Sequence, residues 1–266
     1  MPVASNAFKA ALREAGPPRI GLFLGLCDAY VAELLAGTGF DWLLIDAEHG
    51  PNDTRSILAQ LQALEGRGPD VLVRVVDHDP ARIKQVLDIG ARTLLVPMVD
   101  SAEQARALVR ATRYPPEGIR GVGTALARAA AWNGVPDYLH RANRETCLIV
   151  QAESRAALDA LDEILAVDGV DAVFIGPSDL AASMGHLGRA DHPEVRAAVL
   201  DAIGRIARSG KAAGVFATRL DAARVFCEAG ARFVALGTDT LLLRQGAQGL
   251  AQAFRAGGDE AAGAGY

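Results

Sequence analysis

The sequence predicts a single (β/α)8 TIM barrel that spans residues 1–266, and three observations support this fold. Short runs that are apolar on both faces alternate eight times with longer amphipathic runs. This is the pattern of buried parallel strands connected by helices. The length of 266 residues is common for one such barrel. Half of the residues are hydrophobic, so the chain can build a large core.

The eight apolar runs are the predicted strands, and a predicted helix follows each of them. The strands are Ile20–Leu26, Trp42–Asp46, Val71–Val75, Thr93–Val96, Cys147–Gln151, Ala172–Ile175, Gly214–Ala217 and Phe233–Leu236. The helices are Tyr30–Gly37, Thr54–Leu64, Pro80–Ile89, Ala102–Thr112, Arg155–Ala166, Pro193–Arg208, Asp221–Ala229 and Thr240–Arg255. A doubly wound sheet is the alternative for such alternation, but no complete GxGxxG turn follows the first strand.

Three segments lie outside this repeat. A further helix, which contains Lys9, is predicted at the N-terminus. The connection Tyr114–Glu145 is unusually long and contains a short predicted helix near Asp137–Arg141; connections of this length are often functional or lie at an interface. The small and polar segment Gly257–Tyr266 is predicted to be a flexible tail.

Composition excludes several classes of protein. The net charge is -5 and the basic residues form no stripe, which argues against nucleic-acid binding. The sequence predicts neither a signal peptide nor a membrane span. The cysteines Cys27, Cys147 and Cys227 are widely spaced and odd in number, so a disulfide framework is not expected. These features favour the reducing environment of the cytoplasm.

Two carboxylates near the ends of predicted strands are candidate ligands for a hard cation. Glu153 follows the fifth strand and Asp179 follows the sixth, at the face where active sites of this fold lie. Gln151 is two positions before Glu153, so both side chains can point into the barrel. Carboxylate oxygens suit Mg²⁺ or Mn²⁺. Taken singly, Glu153 could be an exposed acid in a first helical turn, and Asp179 or Ser178 could be an N-cap.

Arg74 and His49 are further candidates for chemistry. Arg74 interrupts an apolar strand, where a guanidinium is costly unless it is paired. It could face an anionic substrate or a developing oxyanion, pair with Asp46 or Glu48 on the adjacent strand, or do both. His49 follows the second strand and could act as a general acid–base, although a structural loop histidine is an equal alternative.

The lysines argue against covalent catalysis through a Schiff base. In this fold such a mechanism needs a lysine at the C-terminal end of a strand. The chain has only Lys9 in the N-terminal helix, Lys84 within a helix and Lys211 before the seventh strand. The GxSxG and HExxH signatures of hydrolases are also absent.

Four ordered segments carry a resemblance to a known family. They are FDWLLIDAEHGPND, IKQVLDIGARTLLVPMV, RYPPEGIRGVG and GVDAVFIGPSDLAASMGHLG. Through them the chain resembles the HpcH/HpaI aldolases from about Phe8 to Phe254. The resemblance implies a metal-dependent lyase that makes or cleaves 4-hydroxy-2-oxo acids, with pyruvate and an aldehyde as the other reactants. It also implies a divalent cation, Mg²⁺, Mn²⁺ or Co²⁺, as the cofactor.

The resemblance assigns roles on the pyruvate side of the site. It implies that Glu153 and Asp179 bind the cation. Gln151 would lie near the keto acid, and the backbone amides of Ser178 and Asp179 would hold its carboxylate. Arg74 would hold the pyruvate oxygen and, with the metal, stabilise the enolate.

The resemblance further implies that His49 is the catalytic histidine and that Asp46 and Asp88 support it. Asp88 lies near the end of its predicted helix, about 10 Å or more from His49 of its own chain. The resemblance therefore implies a homohexamer in which Asp88 reaches His49 of a neighbouring subunit. Without the resemblance, Asp88 would be a surface acid paired with Lys84.

The aldehyde is expected to lie near the ends of strands one, seven and eight, at Phe23, Phe216 and Leu236. Phe23 stands where the family often has tryptophan, and Phe216 belongs to a strand ending that is usually more aliphatic. The resemblance favours 4-hydroxy-2-oxoheptanedioate, an intermediate of aromatic degradation, with succinate semialdehyde as the aldehyde. The alternatives are a dehydroglucarate-type aldolase using tartronate semialdehyde, an oxaloacetate decarboxylase, an acyl-CoA lyase and a non-catalytic ligand-binding barrel.

Overall fold

The computed structural model describes residues 5–256, and its eight parallel strands form a closed barrel in chain order, which confirms the predicted fold class. The strands are β1 Arg19–Leu24, β2 Trp42–Asp46, β3 Asp70–Arg74, β4 Thr93–Val96, β5 Cys147–Ala152, β6 Ala172–Ile175, β7 Ala212–Phe216 and β8 Ala231–Thr238. The helices are α1 Ala7–Arg13, α2 Ala29–Ala36, α3 Thr54–Leu64, α4 Pro80–Asp88, α5 Ala102–Thr112, α6 Tyr138–Glu145, α7 Arg155–Asp159, α8 Leu161–Leu165, α9 Pro177–Ser183, α10 Pro193–Arg208, α11 Leu220–Glu228 and α12 Asp239–Arg255. The predicted tail, residues 257–266, lies outside the described residues.

Most predicted elements are confirmed, and β2, β4, β6, α3, α5 and α10 have their predicted bounds. The predicted helix Arg155–Ala166 is divided at Ala160 into α7 and α8. Helix α9 follows the four-residue β6 after Gly176 and is not one of the eight predicted helices, although an N-cap at Ser178 or Asp179 was one alternative. The short helix predicted near Asp137–Arg141 begins at Tyr138 and continues to Glu145.

Aromatic side chains fill the interior of the barrel, and α1 closes one end of it. Phe8 of α1 packs edge-to-face against Trp42 and Phe233, which stand near the starts of β2 and β8. The interior leaves no space at Gly21, because a Cβ there would lie 2.0 Å from the Trp42 ring. Helix α1 therefore plugs the end opposite the carboxyl ends of the strands.

Side-chain alternation brings polar groups to the open end. In β2, β3 and β5, an apolar residue of the interior core is followed two positions later by Asp46, Arg74 and Gln151. Residues two apart on a strand share a face, so these side chains point into the barrel. Asp46 and Arg74 are also direct partners in the register of β2 and β3. The carboxyl end of the barrel thus carries a buried polar layer.

Candidate active site

A buried arginine lies at the centre of this polar layer. Arg74 is only 6% exposed. Its Nε donates to Oδ1 of Asp46 at 2.8 Å, and its Nη2 donates to Oδ2 at 2.7 Å. Its Nη1 lies 2.8 Å from Oε2 of Glu48. Both pairings considered from the sequence therefore occur together, and two carboxylates fix the orientation of the guanidinium.

Asp46 also shapes the loop that carries His49. Its Oδ1 accepts hydrogen bonds from the amides of Glu48 at 3.1 Å and His49 at 3.4 Å. The His49 side chain is 67% exposed, and its Nε2 lies 4.0 Å from Oε2 of Glu48. Asp46 thus contacts Arg74 and the backbone of this loop, whereas the imidazole stands at the open mouth beside Glu48. Burial raises the pKa of Glu48, although Arg74 opposes this effect.

Glu153 is buried at the end of β5. It is 2% exposed, so the alternative that it is an exposed acid of the next helix is wrong. Its Oε1 accepts the amide of Met98 at 2.9 Å, and its Oε2 accepts the side-chain amide of Gln151. Burial is the main cause that raises the pKa of Glu153 to about 7, and the nearby carboxylate of Asp179 acts in the same direction.

Ser178 and Asp179 lie in the first turn of α9. The N-cap is Gly176 and the first helical residue is Pro177, so the alternative that Ser178 or Asp179 is the N-cap is wrong. Both side chains are exposed at the mouth of the barrel. The first amides of a helix have no partner within the helix, and they can therefore bind an anionic group.

The charge balance of the site fits a divalent cation. Asp46, Glu48 and Glu153 lie close enough to Arg74 to act on its charge, and Asp179 lies close enough to Glu48 and Glu153 to act on theirs. These carboxylates outnumber the buried guanidinium of Arg74, so the site has a formal excess of negative charge. Oε1 of Gln151 is buried and has no hydrogen-bond partner among the described residues. Hard divalent cations prefer such oxygen ligands, and a cation would offset the cost of burying Glu153 as a carboxylate.

Gly176 lies against Glu153, and its lack of a side chain leaves room for the carboxylate. A Cβ at Gly176 would lie 2.3 Å from Oε2 of Glu153 and 2.8 Å from Nε2 of Gln151. We expect Gly176→Ala to displace the carboxylate and to weaken Mn²⁺ binding by about 10-fold to 100-fold, as loss of ligand orientation typically does. Calorimetric titration with Mn²⁺ measures this effect. Gly16→Ala is the matched control because nothing lies within 4 Å of its added Cβ, and equal affinities in the two variants would contradict the prediction.

Of the three residues expected at the aldehyde, the structure brings two together. The rings of Phe23 and Phe216 pack edge-to-face with centroids 5.2 Å apart, and Cζ of Arg74 lies 5.1 Å from the Phe23 centroid. Leu236 is placed differently, because it packs against the core between strands and helices.

Asp88 lies at the end of α4 and is bound within its own chain. Its Oδ1 accepts a hydrogen bond of 2.7 Å from the buried Arg120, whose guanidinium lies over the ring of Tyr114. Asp88 is thus paired with Arg120 and not, as the alternative predicts, with Lys84. Its carboxylate is 25% exposed.

Sequence reasoning missed two contributors to the site. Met98 acts through its backbone amide, which no side-chain pattern reveals. Gly176 acts through the absence of a side chain, although a glycine between a strand and a helix start is a signal that could have drawn attention to it.

Comparison with known proteins decides which kind of site this is. A family model described as HpcH/HpaI aldolase/citrate lyase matches residues 19–246. The chain belongs to the HpcH/HpaI aldolase family. The resemblance seen in the sequence is therefore confirmed, and this aldolase is a carbon–carbon lyase.

The relatives of this aldolase are similar along nearly its whole length. It is 59% identical over 250 residues to the 4-hydroxy-2-oxo-heptane-1,7-dioate aldolase of Klebsiella pneumoniae, with 94% of each chain covered. It is 60% identical over 251 residues to the hydroxypyruvate/pyruvate aldolase of Deinococcus radiodurans, with 94% of this chain and 90% of that one covered. An HpcH/HpaI aldolase/citrate lyase family protein of Burkholderia cenocepacia has a solved structure that matches with a TM-score of 0.90 at 40% identity, covering 94% of this chain and 100% of that one.

Proposed function

We propose that this aldolase cleaves 4-hydroxy-2-oxoheptanedioate to pyruvate and succinate semialdehyde, and that it does so with Mg²⁺ or Mn²⁺. The observation that carries the proposal is the buried Glu153 beside Arg74 at the open end of the barrel. The name and the 59% identity of the Klebsiella relative support this substrate.

Glu153 and Asp179 would hold the cation, and Gln151 would lie beside the keto acid. The HpcH/HpaI aldolases generally depend on a divalent metal, and the charge balance of the site agrees with that requirement. A bound Mg²⁺ or Mn²⁺ would act as a Lewis acid toward the 2-keto group. The first-turn amides of Ser178 and Asp179 would bind the substrate carboxylate.

His49 and Arg74 would have different roles in breaking the C3–C4 bond. His49 takes the proton of the C4 hydroxyl, and the C4–O bond becomes the carbonyl of the aldehyde. The electron pair of the C3–C4 bond moves toward C2, so negative charge develops on the C2 oxygen. Arg74 stabilises this charge because Asp46 and Glu48 hold its guanidinium in place. Protonation at C3 then gives pyruvate.

The Deinococcus relative favours a second candidate, a hydroxypyruvate/pyruvate aldolase. Dehydroglucarate-type cleavage and oxaloacetate decarboxylation would use the same enolate chemistry. The deciding experiment combines pyruvate or hydroxypyruvate with succinate semialdehyde or tartronate semialdehyde, with and without Mn²⁺, and also tests oxaloacetate. The proposal expects the highest kcat/KM for pyruvate with succinate semialdehyde. A higher value for any other combination would replace the proposed substrate.

The aromatic pair at the mouth supports a test of aldehyde selection. Phe23 is 3% exposed and contacts both Phe216 and Arg74, so a larger ring at this position must alter the adjacent space. We expect Phe23→Trp to change the kcat/KM ratio between two aldehydes by about 10-fold or more, while the KM for pyruvate changes less. Phe216→Leu, which enlarges the same space, is the paired variant. An unchanged aldehyde ranking in both variants would place the aldehyde elsewhere.

We also propose that the aldolase is a homo-oligomer, and specifically a hexamer. Helix α12 supports the oligomer, because every residue from 242 to 252 is exposed. Leu243, Leu250 and Phe254 are spaced to share one helical face, and their exposures are 63%, 63% and 86%. A second copy of the chain is the occupant that would cover this face in every subunit.

Charge placed on this helical face tests the assembly. We expect Leu243→Glu combined with Leu250→Glu to lower the molar mass measured by light scattering. Gln245→Glu is the control, because it adds negative charge to an exposed position elsewhere on the same helix. A monomeric parent chain, or an unchanged mass in the double variant, would reject this role for α12.

Within such an assembly we propose that Asp88 supports His49 of a neighbouring subunit. The partly exposed carboxylate would then be shared between Arg120 of its own chain and the neighbour's imidazole.

For location we propose the cytoplasm, which the three free cysteines support. In residues 5–256, no helix combines the length and apolarity that a membrane crossing requires.

A further inference from the structure

We propose that His186, His192 and Glu194 form a second metal site, which binds a transition-metal ion of the Zn²⁺ or Co²⁺ type. Each residue offers one ligand atom, and these atoms all lie within 4.8 Å of one another. The three residues lie between the end of α9 and the first turn of α10. The inference is independent of the proposed aldolase substrate, because it uses none of the groups in the barrel mouth.

The side chains of this triad already lie in contact. The two imidazole rings stack with centroids 3.6 Å apart and an interplanar angle of 17°. Nε2 of His186 lies 2.8 Å from Oε2 of Glu194. The amide of Glu194 donates to Nδ1 of His192 at 3.3 Å, so Nε2 is the nitrogen that His192 would offer to an ion. Two imidazoles and a carboxylate therefore converge on one small volume.

The backbone holds the triad in this arrangement. The amide of His186 donates to the carbonyl of Ala181 at 2.7 Å, which ties the residue to α9. The amide of Arg189 donates to the carbonyl of His186 at 2.9 Å, and the amide of His192 donates to that of Arg189 at 3.0 Å. Because these turns fix the backbone at both histidines, an ion would need only to turn one imidazole out of the ring stack to bring the ligand atoms together.

The ligand types predict which ions bind. Imidazole nitrogen suits Zn²⁺, Co²⁺ and Ni²⁺, whereas Mg²⁺ prefers carboxylate and water oxygens. The triad should therefore reject Mg²⁺, in contrast to the oxygen ligands Glu153 and Asp179. Three protein ligands would leave coordination positions for water. The ion would also compete with Arg155 for Glu194, because Nη2 of Arg155 lies 3.7 Å from Oε1 of Glu194.

Equilibrium dialysis of the full, tag-free chain with Co²⁺ tests the site. We expect two Co²⁺ per parent chain without Mg²⁺, and one in excess Mg²⁺, which fills the carboxylate site. His186→Gln and His192→Gln should each bind one Co²⁺ without Mg²⁺ and none in excess Mg²⁺. His140→Gln is the matched control, since His140 is exposed and outside the triad, and it should behave as the parent.

The outcomes separate this site from the proposed catalytic site. Glu153→Gln should lose the Co²⁺ that Mg²⁺ displaces and keep the one held by the triad. The triad is a surface ion pair only if, in excess Mg²⁺, the parent chain binds no Co²⁺ or both histidine variants still bind one Co²⁺. If Glu153→Gln loses no Co²⁺, the proposed catalytic metal site fails while the triad stands.

Proteolysis gives a readout that does not depend on counting ions. Arg189 is an exposed trypsin site between the two histidines. An ion that binds both histidines should close the loop, so Zn²⁺ at 100 times its dissociation constant should slow cleavage after Arg189 by up to about 100-fold. The effect should vanish in His192→Gln, whose fold is checked by circular dichroism. Cleavage of the parent at the same rate with and without Zn²⁺ would overturn the proposal.

Discussion

Replacing Arg74 with alanine should reduce kcat/KM for aldol cleavage by about 10²–10³, the usual effect of removing one preorganised oxyanion donor. The same variant should lose exchange of the methyl protons of pyruvate with solvent, because exchange also passes through the enolate. His49→Ala should lose cleavage but keep much of the exchange, since His49 serves only the hydroxyl of the aldehyde half. Steady-state kinetics and proton NMR in D₂O measure the two activities separately.

A fold control is needed because Arg74 also stabilises the protein. Its removal leaves the buried carboxylate of Asp46 and the partly buried carboxylate of Glu48 without their cation, and breaking a buried pair typically costs about 3–5 kcal/mol. Arg74→Lys keeps the positive charge, so the variant should fold well. It cannot form the two-nitrogen contact with Asp46, so it should remain impaired in both reactions. Equal loss of cleavage and exchange in the Arg74 and His49 variants would refute this division of roles.

The barrel was predictable because its signals are local and repeated. Asp46, Arg74 and Gln151 each stand two positions after an interior apolar residue, and that parity can be read directly from the sequence. The break at Ala160 and the exact bounds of α9 were not predictable in the same way, because they depend on how short segments pack onto the closed barrel. Helices shorter than two turns carry too little periodicity to be recognised alone.

The candidate site was predictable in its side chains and not in their partners. The sequence indicated Arg74 and Glu153, but the amide of Met98 and the pairing of Asp88 with Arg120 arise from contacts between distant segments. His186 and His192 illustrate the same limit. Six positions separate them, and only the turns of the intervening loop bring their rings into contact.

Removal of a proposed metal ligand should have an effect at least comparable to that of removing Arg74. Glu153→Gln keeps the shape of the side chain but removes the buried charge, so it should lower cleavage by at least about 100-fold, more than the loss of an outer-sphere partner. Glu163→Gln, which changes an exposed acid on α8, should leave activity unchanged. Chelation should abolish cleavage by the parent chain, and Mg²⁺ or Mn²⁺ should restore it.

The same chemistry predicts that no covalent adduct with pyruvate forms. Lys9 and Lys211 bind backbone carbonyls near the closed end of the barrel, with their Nζ atoms 2.6 Å from the carbonyl oxygens of Thr146 and Val170. Lys84 lies within α4, outside the barrel interior. Borohydride added with pyruvate should therefore neither inactivate the enzyme nor increase its mass, as measured by intact mass spectrometry. A pyruvyl adduct trapped on any of these lysines, or full cleavage activity after exhaustive chelation, would show that the carboxylates of the barrel mouth are not a catalytic metal site.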